Sequence, residues 1–282
     1  VKYAYFSVGL PESSPEEAVK LLKKYGYHGI EWRVTTDGGD TSKPGFWGGN
    51  KTTLQENWTD VQYKQVADLT KQAGLVVPNI GSYAKVFEFD KVRRNMEVAQ
   101  IFNAPSFRVN ISPYNGKRNY NEVFKEDQDS LAKVIDEAKK QKVKPLVEIH
   151  MNTPVASASA AVRFLSPFSP EDVGVIHDAG NMVFEGFENF QGGIEMLGKY
   201  LAHVHIKNYS WSYKTINGPQ YLQWDAVPSP LRTGVVKFKT LIDALRSVGY
   251  DGWLSFEDFS KEASQEDKVK DNLEFIKQVE AL

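Results

Sequence analysis

The chain has 282 residues, 41% of them hydrophobic and 25% charged, with a formal net charge of −2. That charge gives no electrostatic reason to expect nucleic acid or an anionic membrane as a partner, and no apolar run approaches the roughly 20 residues of a membrane helix. There is no cysteine, which excludes disulfides, thiolate zinc sites and cysteine nucleophiles and leaves only oxygen and imidazole as metal ligands. The N-terminus opens on a strand pattern rather than the basic-then-apolar layout of a signal peptide, which points to the cytoplasm.

Residues 2–7 (K-Y-A-Y-F-S) predict a short aromatic-rich strand. The run S-S-P-E-E at 13–17 then predicts a helix start, with a serine cap, proline in the first turn and acids at the positive end. Ala18, Leu21, Leu22 and Tyr25 share one helical face and Gly26 ends it. Residues 29–34 (G-I-E-W-R-V) are the next strand, so the chain opens β-α-β.

The unit recurs, with helices expected at 59–73, 90–102, 121–141, 156–165, 190–200, 238–248 and 265–281. Strands are expected at 75–82, 105–110, 143–150, 172–178, 201–207 and 253–258. Eight strand–helix alternations predict a (β/α)8 TIM barrel, which takes about 250 residues. No Gly-rich phosphate fingerprint follows the first strand, which argues against an open doubly wound sheet. The linkers show no composition shift, so residues 1–282 read as a single domain. Two connections, 35–58 and 208–234, are long and rich in glycine or aromatics. Both follow strands, which places them on the C-terminal rim where barrel active sites sit.

Four strands end in ionisable groups: Glu148 in V-E-I-H, Asp178 in V-I-H-D, His205 in H-V-H-I-K and Glu257 in L-S-F-E-D. Burying such groups is costly unless they meet a metal, a partner or a substrate. Neighbouring strand ends of a barrel converge at its mouth, where three carboxylates and an imidazole make a hard, oxygen-rich site. Mn²⁺, Mg²⁺ or Co²⁺ suit it, and Zn²⁺ is also accommodated.

The order E-x-H, D-x-x-N, H-x-H-x-K and F-E on strands five to eight resembles the xylose isomerase-like TIM barrel superfamily of sugar isomerases and epimerases, including the sugar phosphate isomerase/epimerase family. The likeness extends to G-I-E-W-R on strand two and G-Y-D-G-W before strand eight. It implies Glu148, Asp178, His205 and Glu257 as ligands of one divalent metal, Mn²⁺ foremost. It also implies Glu148 and Glu257 as catalytic base and acid, moving a proton next to a carbonyl through a metal-stabilised enediolate. The expected substrate is a small sugar or polyol, and homo-oligomerisation is left open. The alternatives are a metal-dependent lyase or dehydratase of a keto-polyol, of inosose or dehydroshikimate type, and a non-catalytic sugar-binding subunit. The chain departs from ketose 3-epimerases at Asn181 and Trp211, where they carry histidine and arginine, which makes these two the candidate substrate contacts that would choose the reaction. After His205 there is no further histidine, which argues against the three-zinc pattern of the related abasic-site endonucleases.

The remaining candidates come from strand parity. His150 shares Glu148's face and is a candidate hydroxyl contact. Lys207, two residues after His205, points into the mouth, either to a substrate oxygen or to a nearby acid. His203 is assigned to structure, His177 to packing, and an ion pair between Glu31 and Arg108 is expected across the barrel. Trp32, Phe46, Trp47, Tyr83, Trp211 and Trp224 form an expected aromatic wall for a sugar ring. No Gly-rich segment follows strand seven, which argues against a phosphorylated substrate.

Overall fold

The computed structural model describes residues 1–216 and 221–282. Eight parallel strands close into a barrel: β1 (Lys2–Phe6), β2 (Gly29–Val34), β3 (Ile80–Ser82), β4 (Ser106–Val109), β5 (Lys144–Glu148), β6 (Gly174–Asp178), β7 (Leu201–Ile206) and β10 (Trp253–Phe256). The ring shuts where β10 pairs with β1, in the register Lys2↔Trp253 to Tyr5↔Phe256. The outer layer includes α1 (Pro15–Tyr25), α2 (Asp60–Gln72), α3 (Phe89–Ile101), α4 (Tyr120–Gln141), α5 (Ala158–Leu165), α7 (Phe190–Leu197), α8 (Phe238–Ser247) and α9 (Gln265–Glu280). This is a single (β/α)8 barrel. Among the described residues no helix is long and apolar enough to cross a membrane.

Local chemistry explains the helix starts. Ser14 caps α1 in a reciprocal capping box with Glu17, and Gly26 ends that helix at a φ of 84°. Outward-facing strand residues pack under the helices. Trp32, expected at the rim, is one of them: it is fully buried behind the barrel wall, where its Nε1–H donates to Thr70 Oγ1 at 3.2 Å. Its even position in β2 turns it away from the interior that Glu31 and Arg33 face.

Expectation and structure part at three places. The strand expected at 75–82 is ordered as β3 over Ile80–Ser82 alone, with one parallel bridge at Gly29↔Val76. Pro78 stands between the two and has no N–H to give to the ladder. The connection 208–234 is no structureless loop. It forms an antiparallel hairpin of β8 (Tyr209–Ile216) and β9 (Tyr221–Pro228); positions 217–220 of that connection lie outside the described residues. Finally, a seven-residue helix, α6 (Ala179–Glu185), follows β6 directly.

The connection 35–58 is held as a compact wall. Asp37 accepts the backbone N–H groups of Gly39, Gly49 and Asn50 at 3.0, 2.8 and 3.1 Å and pairs with Arg33 at 3.3 Å. The wall carries Trp47 to within 4.9 Å of the Phe259 ring.

Gly81 shows how tightly β3 meets β1. A Cβ there would stand 2.2 Å from the ring of Phe6, which is fully buried. Gly81→Ala is therefore expected to lower stability by about 1–3 kcal/mol through overpacking, read from urea denaturation midpoints. A variant as stable as wild type would mean that the Phe6 ring can yield.

Candidate metal centre and active site

Register brings the strand ends together. Asp178 pairs with His205 across β6 and β7, and Ser255 pairs with His205 across β7 and β10. Glu257 follows β10 directly, with its N–H on Ile206 O at 2.9 Å. Glu148 closes β5, opposite Ile176 of β6. As a result one ligand atom from each of Glu148, Asp178, His205 and Glu257 lies within 4.8 Å of the other three, and all four residues are buried.

His205 Nδ1 is the centre of the cluster. It lies 2.9 Å from Glu148 Oε1 and 3.6 Å from both Asp178 Oδ2 and Glu257 Oε1. Each glutamate turns its other oxygen to a cation: Glu148 Oε2 to Arg108 Nη1 at 2.7 Å, Glu257 Oε2 to Lys207 Nζ at 2.6 Å. Asp178 divides its work in the same way. Oδ1 caps α6 by accepting Asn181 N–H at 2.8 Å, while Oδ2 stays in the cluster, 2.7 Å from Lys207 Nζ. Capping and ligation are compatible because a carboxylate has two oxygens.

The electrostatics are those of a site short of positive charge. Burial works against the Glu148 carboxylate, but Arg108 and His205 overcome it and hold its pKa well below the usual range. Burial equally opposes the His205 imidazolium, yet Glu31 and Glu257, with Asp178 and Glu148, carry its pKa well above the ordinary value. Lys207 is likewise raised against its burial by Asp178 and Glu257. Four buried carboxylates, Glu31 included, face two fixed cations, Arg108 and Lys207. One divalent ion would close that deficit without a charged His205. Three carboxylates and one imidazole, with Asp178 Oδ2 turned into the cluster beside His205 and Lys207, fit such an ion.

A cavity of about 390 Å³ opens above the cluster, and Glu148, Glu257, Lys207, His150, Trp47 and Tyr83 are among the residues that line it. Asp178 and His205 lie behind these, fully buried. His150 falls just beyond β5 and is half-buried, with Nδ1 2.8 Å from Met151 O. Two candidate contacts stand apart from the lining. The Asn181 side-chain amide is spent on Ile149 O at 3.1 Å and Glu148 Oε1 at 3.4 Å. Trp211 lies on the β8–β9 hairpin, 43% exposed. Trp224 is also on that hairpin, and Phe46 packs on Phe259 at 5.1 Å.

The expected Glu31–Arg108 pair does not form, because Arg108 spends its guanidinium on Glu148 and on Ser82 O at 3.0 Å. Lys85, Asn110 and Asn152 also line the cavity. They come from loops after β3, β4 and β5, where no periodic pattern marks an inward position.

His177 faces outward from β6, as its parity implied, against Phe190 with ring centroids 6.0 Å apart. Neither ring nitrogen has a hydrogen-bond partner, and burial pushes its pKa from 6.5 down to about 4. Between these values the unfolded chain takes up a proton that the folded one refuses. The stability present above pH 6.5 is therefore lost as pH falls. From pH 7 to 5 this residue should remove about 2 kcal/mol. His177→Phe should flatten that slope in urea unfolding at the two pH values; an unchanged slope would assign the acid sensitivity elsewhere.

The family model described as Xylose isomerase-like TIM barrel matches residues 19–279. An inosose dehydratase of Geobacillus thermodenitrificans is 25% identical over 155 residues, covering 52% of this chain and 49% of that protein; the chain thus spans about half the length of the curated relatives it matches. Among solved structures, 3-keto-D-glucoside 4-epimerase from E. coli superposes with a TM-score of 0.72 at 15% identity, covering 99% of both chains. A xylose isomerase-like TIM barrel protein from Mycobacterium smegmatis in complex with magnesium gives 0.68 at 17% identity, covering 99% of this chain and 96% of that one. At such identities the structural likeness carries the fold alone.

Proposed function

Because the chain belongs to the xylose isomerase-like TIM barrel family, we propose that residues 1–282 act as one domain, a divalent-metal-dependent isomerase or epimerase of an unphosphorylated sugar or polyol. Glu148 and Glu257 line the cavity while Asp178 and His205 are sealed behind them, and this division of the cluster is what supports the reading. Glu148, Asp178, His205 and Glu257 would hold the ion, with Mn²⁺ foremost and Mg²⁺, Co²⁺ or Zn²⁺ as the other candidates. When bound, the ion supplies positive charge for the negative charge that develops on adjacent substrate oxygens.

The chain's own groups carry the proton. One cavity-lining glutamate takes it from the carbon beside the carbonyl. If the other returns a proton to the opposite face of that carbon, the sugar is epimerised; if one carboxylate serves both steps at adjacent carbons, it is isomerised. Arg108, always charged, fixes Glu148 and lines the cavity beside it. Lys207 backs Glu257 and also faces the cavity, where an ammonium N–H can hold a substrate oxygen. Trp47 and Tyr83 offer faces to a sugar ring, and His150 a hydroxyl contact.

A dehydratase is the second reading. It is favoured by Lys207, a donor beside Glu257 that could protonate a departing hydroxyl, and by the sequence match to inosose dehydratases. The discriminating experiment incubates metal-stripped and Mn²⁺-reconstituted protein with a panel of ketoses and inosose in D₂O. Deuterium uptake without loss of water is expected, and only after reconstitution. An unsaturated product would establish the dehydratase. Exchange that survives EDTA would refute the metal requirement, and inertness toward the whole panel would refute the sugar chemistry.

A further inference from the structure

Beneath the cluster lies a carboxylate that the chemistry above leaves unused. Glu31, on β2, is fully buried in the barrel interior. Its Oε2 accepts from Ser255 Oγ at 2.7 Å and lies 3.0 Å from His203 Nε2 and 3.1 Å from His205 Nε2. Its Oε1 accepts from Asn79 Nδ2 at 2.7 Å, and Asn79 Oδ1 accepts in turn from Ser106 Oγ at 2.8 Å. Both Glu31 oxygens already serve as acceptors, Oε2 of Ser255 Oγ and Oε1 of Asn79 Nδ2, so the arrangement is satisfied when each imidazole supplies the proton of its own contact with Glu31.

This places the His205 ring between two carboxylate groups. Nε2 is committed to Glu31 below; Nδ1 faces Glu148, Asp178 and Glu257 above. We propose that Glu31 is the positioning residue of the metal centre: it keeps the proton on His205 Nε2, fixes the plane of the ring and so makes Nδ1 the metal-binding nitrogen. The proposal rests on Glu148, Asp178, His205 and Glu257 being the ligands. Carboxylates that accept the second N–H of a ligating histidine act in this way, and their loss weakens metal binding about 10–100-fold. Asn79, Ser106 and Ser255 hold Glu31 in turn, so the orientation of His205 is set by side chains from β2, β10 and the segment around β3 and β4.

Glu31, His203 and His205 also present ligand atoms within 4.8 Å of one another, so the rival is a second ion at that level, bridged by His205. Ser255 Oγ donates to Oε2 and both histidine Nε2 atoms lie within 3.1 Å of that same oxygen, which favours the hydrogen-bonded arrangement.

The test uses the full chain. Wild type, labelled with ¹⁵N-histidine and loaded with Zn²⁺, should show His205 metal-bound at Nδ1 with its proton retained on Nε2, at one ion per chain. Metal at Nε2, or two ions per chain, would overturn the proposal, and this arm stands even if a variant fails to fold. In a second arm, Mn²⁺ affinity is read from the EPR signal of free Mn²⁺. Glu31→Gln is expected to bind about 10–100-fold more weakly than wild type, with Glu31→Asp recovering part of the loss; unchanged affinity in folded Glu31→Gln would overturn it. Wild type that binds neither ion would fail at the ligands themselves, a result distinct from binding that is indifferent to Glu31, and would take the proposal with it.

Discussion

Glu257→Gln is expected to slow turnover by about 10²–10⁴-fold, the range for removal of a general acid or base, while the barrel stays folded. The two effects separate because of what Lys207 touches. Its ammonium lies 2.6 Å from Glu257 but also 2.7 Å from Asp178, so neutralising Glu257 does not leave a buried cation without a partner. Glutamine keeps the length and can still accept from Lys207. Turnover by solvent deuterium exchange and stability by urea unfolding should be measured on the same preparation. A loss of less than tenfold with the fold intact would remove Glu257 from the catalytic pair and favour a mechanism led by Glu148 or Lys207.

Arg108→Met should be the more damaging change to the fold, by about 3–5 kcal/mol, because it leaves a buried carboxylate uncompensated. Arg108 is 4% exposed, pairs with Glu148 at 2.7 Å and lies over the Tyr83 ring with its guanidinium carbon 4.4 Å from the centroid. Methionine replaces much of the side-chain volume but none of the charge. Glu148 would then rely on His205 and the Asn181 amide. The double variant Arg108→Met with Glu148→Gln should recover part of the stability, since no unpaired charge remains, though not the activity. If the single variant unfolds at the same urea concentration as wild type, the pair contributes nothing net and Glu148 must find its compensation elsewhere.

Much of this was legible in the chain. The capping box at Ser14, the glycine at position 26 and the alternation of helix and strand patterns are local signals, and they led to a closed barrel. The four strand-end residues were legible because consecutive strand ends of a barrel converge at its mouth, and the family resemblance named them as one ligand set. Pairings across the interior were harder. Arg108 was assigned to Glu31 because both face inward, yet Arg108 is taken up by Glu148 on the adjoining β5, and Glu31 by Asn79, Ser255 and the histidines of β7. The hairpin after β7 was read as loop although W-S-Y-K-T alternates with period two. Its register puts Trp211, Tyr213, Leu222 and Trp224 on one exposed face, so burial gave no confirmation of a strand. Asn181 was read as a substrate contact because of its spacing from Asp178. The helix that Asp178 caps turns its side chain back to Ile149 and Glu148 instead.

The pairing that shuts the barrel also sets a clock. β1 gains its second neighbour from β10, whose first residue in the register is Trp253. On a ribosome adding about 5–20 residues per second, some 10–50 s separate the synthesis of the two strands. Throughout that interval one edge of β1, with Tyr3, Ala4 and Tyr5 along it, offers unpaired amides to whatever strand is near. Long-range closure of this kind is slow and exposes the chain to misassociation. Until β10 docks, the facing edges of β1 and β7 are both open, so closing this seam is the step at which refolding at high concentration is expected to lose chains to association.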